Sequence, residues 1–316
     1  MARLLVTGAS GFVGGALVER LAGEERWRPV AASRRDLSLP EGAEVVVAPS
    51  LGPDADWGSA VRDADAVVHA AARVHVMEEG SADPLSEYRH TNVEGTLALA
   101  RQAAQAGVRR FVFVSSIKVN GEQTAPGSAF TAADAVAPVD PYGVSKAEAE
   151  AALFALGRET GMEIVAVRPP LVYGHGAGGN FARMARWVGK GVPLLLGAVD
   201  NRRSLIGLDN LVDLLMTCVE HPDAANRVFL AGDGEDLSTT DLLRRVAVAM
   251  DRRARLVPFP PVLLRAAARA VGRDDLARRL LDSLQVDITD TCETLGWEPP
   301  VSVDEGLRRS VRALLQ

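Results

Sequence analysis

The chain has few of the residues that form disulfides or bind transition metals. Cys218 and Cys292 are the only two cysteines in 316 residues, and the five histidines show no ligand spacing. Two cysteines this far apart in sequence favour reduced, buried thiols over a disulfide or a metal site. We therefore expect a metal-free protein of a reducing compartment, which points to the cytoplasm.

Long apolar runs and clusters of one charge are also missing. No apolar stretch reaches the length of a membrane span, and Met1 leads directly into a strand pattern without a signal peptide. The formal net charge of −6 is spread along the chain, which argues against nucleic-acid or membrane partners. A hydrophobic content of 47% is enough for one large domain or two closely packed ones.

What the chain does have is a regular alternation of short apolar runs and helical stretches. Runs rich in Val, Ala and Leu occur at 3–7, 29–33, 44–48, 66–71, 110–115, 163–168 and 227–231. Because such runs are apolar on both faces, they indicate a parallel sheet covered by helices on each side. Helices are predicted at 12–22, 84–106, 141–159, 180–189, 208–219, 239–250 and 262–284, with Asp83 and Asp140 as N-caps before proline.

The pattern changes after residue 172, which predicts two lobes. We expect an α/β doubly wound domain made of residues 1–172 and about 203–231. A smaller, discontinuous substrate-binding lobe would then comprise 173–202 and 232–316.

A glycine-rich turn follows the first strand directly. It contains Gly8, Ser10, Gly11, Phe12, Val13 and Gly14. Glycines at this spacing let the chain turn, let backbone approach a pyrophosphate and let the next helix pack closely on the strand. About 0.25 such patterns are expected by chance in this chain, so its position between a buried strand and a helix carries the argument. The turn predicts a Rossmann fold that binds a dinucleotide at the helix N-terminus.

The end of the second strand favours NADP(H) over NAD(H). An NAD site usually has a carboxylate there for the ribose hydroxyls, whereas an NADP site has arginine for the extra phosphate. Here the strand ends in Ser33, Arg34 and Arg35. NAD(H) stays possible, since arginine is abundant in the chain and the pair could simply be solvated.

Tyr142 and Lys146 are the strongest chemical signal. The chain has three tyrosines and three lysines, so only about 0.03 pairs at this spacing are expected by chance. Their i, i+4 spacing puts both on one helix face, where an ammonium could lower the tyrosine pKa and make the phenol a proton-transfer group. Ser115 and Ser116 end another strand at the expected ligand edge, where a hydroxyl could bond the reacting oxygen.

Together these motifs resemble the extended short-chain dehydrogenase/reductase family of nucleotide-sugar epimerases, dehydratases and reductases. The resemblance spans nearly the whole chain. It rests on TGASGFVG at 7–14, DAVVHAAA at 65–72, HTNVEGT at 90–96, FVSSIKVNG at 113–121, YGVSK at 142–146, RPPLVYG at 168–174, NRRSLIGLDNLVD at 201–213 and TLGWEPPVSVDEGL at 294–307.

The resemblance implies roles for individual residues. Ser116 and Tyr142 would be catalytic, and Lys146 would hold the nicotinamide ribose and tune the tyrosine. Ala70, Ala71, Ala72 and Asn92 would line the cofactor cleft, and Asn180 and Arg203 would contact the nucleotide diphosphate. His75 lies in a segment similar to a UDP-glucose 4-epimerase-like branch and either approaches the sugar or is a loop histidine.

The resemblance leaves two activities open. Dehydratases carry Asp-Glu directly after the catalytic Ser/Thr, and here Ile117 and Lys118 exclude that activity. A UDP-sugar 4-epimerase and an NADPH-dependent UDP-sugar 4-ketoreductase both fit. A catalytically silent NADP sensor or scaffold is a further alternative, against which the intact Ser116, Tyr142 and Lys146 argue.

The family also implies a homodimer formed by the helices that carry Asn92 and Tyr142.

Arg34→Ala tests the cofactor expectation. The extra phosphate carries about two negative charges, and a charge-assisted hydrogen bond contributes about 1.5–3 kcal/mol. The substitution should therefore weaken NADP binding about 10- to 100-fold and leave NAD binding nearly unchanged, measured by titration of both dinucleotides. Equal losses for the two would contradict a phosphate contact at Arg34.

Overall fold

The computed structural model describes residues 1–35, 37, 42–74 and 83–315. Its centre is a parallel sheet of seven strands in the order β3-β2-β1-β4-β5-β6-β9, which confirms the predicted Rossmann-type α/β fold. The strands are β1 (Ala2–Thr7), β2 (Trp27–Ser33), β3 (Glu44–Val47), β4 (Ala66–His69), β5 (Arg110–Val114), β6 (Glu163–Arg168), β7 (Leu171–Tyr173), β8 (Arg203–Gly207), β9 (Arg227–Leu230) and β10 (Asp236–Leu237).

Helices cover both faces of this sheet and build the second lobe. They are α1 (Phe12–Leu21), α2 (Gly58–Val61), α3 (Pro84–Tyr88), α4 (Gly95–Gln105), α5 (Pro141–Thr160), α6 (Gly179–Gly189), α7 (Leu208–Glu220), α8 (Thr239–Ala249), α9 (Pro261–Ala270), α10 (Asp274–Leu281), α11 (Thr289–Leu295) and α12 (Val303–Leu315). A π-helical segment, Arg89–Glu94, joins α3 to α4. None of the helices in the described ranges is long and apolar enough to cross a membrane.

The sheet has a separate apolar cluster on each face. Leu4, Val6 and Val112 face α1 and α7 on one side, whereas Leu5, Val67 and Phe111 face α4 and α5 on the other. Neighbouring residues of β1 thus enter opposite layers, because side chains alternate along a strand. These buried, two-sided strands explain why the runs in the sequence are apolar throughout.

The second lobe contains a three-stranded sheet of its own. Its order is β10-β8-β7, and α6, α8 and α12 pack around a third apolar cluster that includes Phe181 and Leu243. Of residues 203–231, expected to return to the main sheet, α7 and β9 do so, while β8 pairs with β7 instead. The predicted helix 262–284 is wrong, since α9 and α10 are separated by Gly272, whose φ of +68° belongs to the left-handed region.

Local capping signals place the helices that approach the carboxyl edge of the sheet. The Asp83 carboxylate accepts a hydrogen bond from Ser86 N at 3.1 Å, and the Asp140 carboxylate accepts one from Gly143 N at 2.7 Å. Pro84 and Pro141 follow as first helical residues. Both predicted N-caps are confirmed, so the start of α5 is fixed one residue before Tyr142.

Gly14→Ala tests the packing of α1 on the glycine turn. A Cβ at Gly14 would lie 2.3 Å from Gly8 O, a backbone atom that cannot move aside cheaply. We expect the free energy of unfolding in urea to fall by about 1–3 kcal/mol, as for other overpacked sites. The control is Gly189→Ala, where the new Cβ would lie 3.6 Å from Met250 Sδ, an ordinary contact. Equal stabilities for the two variants would contradict this close packing.

Candidate active site

The glycine turn after β1 forms a backbone cradle at the start of α1. Gly8 has φ +69°, and a Cβ there would lie 2.8 Å from Ala71 N in the loop after β4. Gly11 N donates to Gly8 O at 2.8 Å, while α1 has neither a side-chain cap nor an acidic residue in its first turn. The helix thus presents N–H groups and the positive end of its dipole, as a pyrophosphate requires.

The neighbouring strand and loop ends complete the cofactor side of the site. Ser33 is buried at the end of β2, and its hydroxyl accepts a hydrogen bond from Arg35 N at 3.1 Å. The Arg34 and Arg35 side chains are exposed, and so are Ser10 and Gly11, whereas Phe12 and Val13 are half-buried. The loop of Ala70, Ala71 and Ala72 lies half-buried directly beside Gly8. These predicted cofactor residues therefore share one edge of the sheet.

A buried histidine forms the floor beneath this edge, and sequence analysis did not identify it. His69 Nδ1 and Thr7 Oγ1 are 2.7 Å apart, and His69 Nε2 and Thr96 Oγ1 are 3.0 Å apart. Burial, together with the Lys146 charge, lowers the pKa of His69 to about 3. The ring is thus neutral at physiological pH and cross-links β1, β4 and α4. A histidine within DAVVHAAA carried no signal that distinguished this role.

Asn92 connects the loop after β4 to α5. Its carboxamide oxygen accepts from Arg73 N at 2.8 Å, and its nitrogen donates to Arg73 O and to Ser145 Oγ, both at 3.0 Å. The residue is buried in the π-helical segment between α3 and α4. Such widened helical turns often occur at functional sites because they redirect a side chain. Asn92 therefore holds the loop after β4 against α5.

Tyr142, Ser116 and Lys146 converge where α5 meets the end of β5. The Tyr142 phenol interacts with the Ser116 hydroxyl, which acts to lower the pKa of the phenol. Lys146 Nζ donates to Val114 O at 2.8 Å and lies 5.9 Å from the centre of the Tyr142 ring. Its ammonium also lies 4.3 Å from the centre of the Phe113 ring, within the range of a cation–π contact. The structure thus brings together the three residues expected to be catalytic.

The electrostatics of this group differ from the expectation that the ammonium lowers the tyrosine pKa. Burial raises the pKa of Tyr142 above its usual value, and the Asp140 carboxylate raises it further. Burial also lowers the pKa of Lys146 to about 7. Desolvation disfavours the charged form of both groups, and here it outweighs the opposing effects of Ser116 on Tyr142 and of Glu150 on Lys146. In the ligand-free protein the tyrosine is therefore a neutral phenol.

Ser115 lies beside this group but its hydroxyl points elsewhere. It is buried and donates a short hydrogen bond to the Glu150 carboxylate on α5. The Ser115 hydroxyl is therefore engaged within the protein, and a contact of Ser115 with the cofactor stays a prediction. Only one serine of the pair, Ser116, faces the open side of the site.

A cavity of about 380 Å³ extends from Ser116 into the second lobe. Its wall is mainly apolar, but it carries Lys118 near Ser116 and three arginines farther along, Arg183, Arg203 and Arg279. Arg203 is the predicted one, and its guanidinium donates to Asp282 O at 2.9 Å. Arg183, Arg279 and Lys118 were missed, because nothing in an arginine-rich sequence sets two arginines apart. The cavity suits an anion attached to a bulky organic group.

For two residues predicted to bind substrate, the structure describes less. Asn180 lies in the first turn of α6, whose start borders the cavity through Gly179, and its side chain is not described. His75 lies outside the described residues. In the described part of the chain, no group of three or more His, Cys, Asp or Glu residues could hold a metal ion.

Comparison with known proteins gives a family match and a similar curated protein. The model of the NAD dependent epimerase/dehydratase family matches residues 4–232. A UDP-glucose 4-epimerase of Vibrio cholerae is 44% identical over 314 residues, covering 99% of this chain and 95% of that protein.

Solved structures agree with this fold. MoeE5 in complex with UDP-glucose and NAD aligns with a TM-score of 0.79 at 25% identity, covering 99% of both chains. The RMD protein of Pseudomonas aeruginosa, complexed with NADPH, aligns with a TM-score of 0.76 at 22% identity, covering 99% of this chain and 100% of that one.

The buried Lys146 predicts a specific pH dependence of stability. Its pKa is about 7 in the folded protein and 10.5 in the unfolded chain, so between these values the unfolded state binds the extra proton. Stability should therefore rise with pH from 7 towards 10, by at most about 1.4 kcal/mol per pH unit from this group. In urea titrations of the ligand-free protein at pH 7, 8 and 9, Lys146→Met should remove this rise.

Lys190 provides the control, since it is exposed on the second lobe. Lys190→Met should keep the wild-type slope of stability against pH. A Lys146→Met protein with that same slope would show that Lys146 is not desolvated in the fold.

Proposed function

The chain belongs to the NAD dependent epimerase/dehydratase family and is an NAD(P)-dependent epimerase or oxidoreductase; from this premise we propose that it exchanges a hydride reversibly at C4 of a UDP-sugar. One observation carries the proposal. Tyr142, Ser116 and Lys146 meet between the glycine cradle and the cavity lined by three arginines. A dinucleotide on one side and a sugar nucleotide on the other would both reach these three side chains.

The cavity favours a substrate that is bound through a nucleotide diphosphate. Arg183, Arg203 and Arg279 supply cationic donors that match a diphosphate, and the apolar wall can pack against a base and sugar. The similar proteins from Vibrio cholerae and MoeE5 are described with UDP-glucose as substrate or ligand. A UDP-hexose is therefore the substrate class that both the wall and the relatives favour.

The residues of the cradle fit NAD(P), which would supply the hydride acceptor and donor when bound. Tyr142 Oη, as a phenolate whose own proton has left to solvent, would accept the proton of the sugar 4-hydroxyl as the C4–H bond breaks, and would return it when that bond re-forms on the other face. Ser116 would hydrogen-bond the same oxygen, and Lys146 would stabilise the phenolate through its charge. The hydride taken from C4 is returned to C4 together with the proton, so an epimerase shows no net redox change.

We propose the 4-epimerase as the activity, because the relative at 44% identity over the full chain carries that name. The second candidate is an NADPH-dependent reductase of a UDP-4-keto-sugar. Arg34 and Arg35 at the end of β2 favour it, since they suit the phosphate of NADP(H). We also propose a homodimer formed through α4 and α5, with residues 1–172 and about 203–231 holding the dinucleotide and the remainder holding the UDP-sugar.

Tyr142→Phe tests the proton transfer. The substitution keeps the ring and removes the oxygen, so turnover of UDP-glucose should fall about 10²- to 10⁴-fold, while dinucleotide affinity stays within a few-fold. Lys146→Met should lose both turnover and dinucleotide affinity, since that ammonium would also hold the ribose. Tyr88→Phe is the matched control, because the Tyr88 ring lies 6.1 Å from that of Tyr142 and its hydroxyl bonds Val74 O. A Tyr142→Phe enzyme as active as the Tyr88→Phe enzyme would refute the mechanism.

Arg183→Gln tests the diphosphate subsite. Losing one half-buried charge-assisted contact should weaken UDP binding about tenfold in calorimetric titration. Arg186 lies on the same helix but is exposed and outside the cavity wall, so Arg186→Gln should bind UDP as the wild type does. Identical affinities for the two variants would place the diphosphate elsewhere.

A further inference from the structure

A buried ion pair lies directly behind the catalytic helix. Glu150 on α5 and Arg168 at the end of β6 have side chains only 5% and 4% exposed. Arg168 Nε donates to both carboxylate oxygens at 3.0 and 3.2 Å, and Nη2 donates to one of them at 2.5 Å. Desolvation makes such a pair weak evidence for stability. Its presence here is better explained by what it positions.

The pair reaches both sides of Ser116. The Ser115 hydroxyl donates to Glu150, and Arg168 Nη1 donates to Asn120 Oδ1 at 2.9 Å. One of these residues precedes Ser116 and the other follows it by four positions, at the end of the short 3₁₀ turn that Ser116 caps. The turn that presents the Ser116 hydroxyl is therefore held at both ends by one buried salt bridge.

The same carboxylate faces Lys146. Glu150 follows Lys146 by one helical turn, and both are buried on the same face of α5. The other titratable groups around this ammonium are His69 on β4, which burial keeps neutral, and the phenol of Tyr142. The Glu150 carboxylate raises the pKa of Lys146 and so opposes the effect of burial. Its charge opposes the loss of the Lys146 proton, so that part of the Lys146 population is still charged at neutral pH.

We infer that Glu150 is a positioning residue: paired with Arg168, it holds the Ser116 turn against α5 and places its carboxylate one helical turn from the Lys146 ammonium. The consequence for turnover rests on the proposed function. The effect on Lys146 does not, because it is a property of the ligand-free protein.

The three lysines of the chain allow a direct measurement. In protein labelled with ¹³Cε-lysine, the Lys146 signal is assigned by its loss in Lys146→Met, and its titration is followed by NMR without substrate. Glu150→Gln should lower the midpoint of that titration by about one pH unit or more. It should also reduce turnover of UDP-glucose at pH 7 at least about tenfold.

Glu148→Gln is the matched control. Glu148 lies on the same helix but pairs with Arg89 at the surface, so neither the Lys146 midpoint nor turnover should change. If Glu150→Gln leaves the Lys146 midpoint at its wild-type value, the inference is overturned, even if activity falls.

Glu150→Gln leaves Arg168 buried without its partner, so this variant could fail to fold. A second variant therefore tests the inference independently. Glu150→Gln combined with Arg168→Met removes both charges, a change that buried pairs often tolerate. Because a cation is lost together with the carboxylate, the Lys146 midpoint should fall less than in the single variant, while turnover should still fall because the Ser116 turn is no longer held. Wild-type turnover in this protein would overturn the inference. If the wild-type protein does not convert UDP-glucose, the proposed function is wrong. The Lys146 titration would still decide the role of Glu150, because it needs no substrate.

Discussion

The seating of α5 on the carboxyl ends of β5 and β6 is the constraint on which the rest of the site depends. Lys146 Nζ bonds the last carbonyl of β5, and Glu150, one turn later, binds Arg168 at the end of β6. The Asp140 cap sets where the helix begins, so Tyr142 follows at a fixed height above the sheet. A helix held at three levels cannot slide or rotate without breaking a buried polar contact, each of which is costly to leave unsatisfied.

The position of α5 also buries Tyr142 and Lys146 in surroundings of low dielectric, which changes their pKa values. A tyrosine and a lysine so close at a solvated surface would keep nearly ordinary pKa values, whereas here burial moves the pKa of Tyr142 upwards and that of Lys146 down to about 7. The ligand-free site therefore has a neutral Tyr142 phenol and a Lys146 ammonium that begins to lose its proton near pH 7.

Much of this arrangement could be predicted from local sequence, and the remainder depends on distant partners. The glycine turn, the Asp83 and Asp140 caps and the Tyr142–Lys146 spacing are short-range patterns with a physical cause, and the structure contains each of them. The orientation of Ser115 could not be inferred, because it depends on Glu150, 35 residues later.

The other differences between the predicted and the observed structure also depend on partners that are distant in the sequence. The pairing of β8 with β7 could not be predicted, because a five-residue strand carries no signal of which sheet it enters. The break between α9 and α10 rests on a single glycine in an otherwise helical pattern. The pKa values of Tyr142 and Lys146 follow from burial, which is a property of the whole fold.

The central claim is that a hydride leaves C4 of a UDP-hexose and returns to the same carbon. UDP-glucose carrying deuterium at C4, incubated with the purified protein and the dinucleotide it retains or a catalytic amount of added NAD(P), tests it directly. The account predicts UDP-galactose that keeps the deuterium at C4, with no net consumption of the dinucleotide, as seen by mass spectrometry and NMR. Product without the label, or no product from UDP-glucose at all, would contradict it.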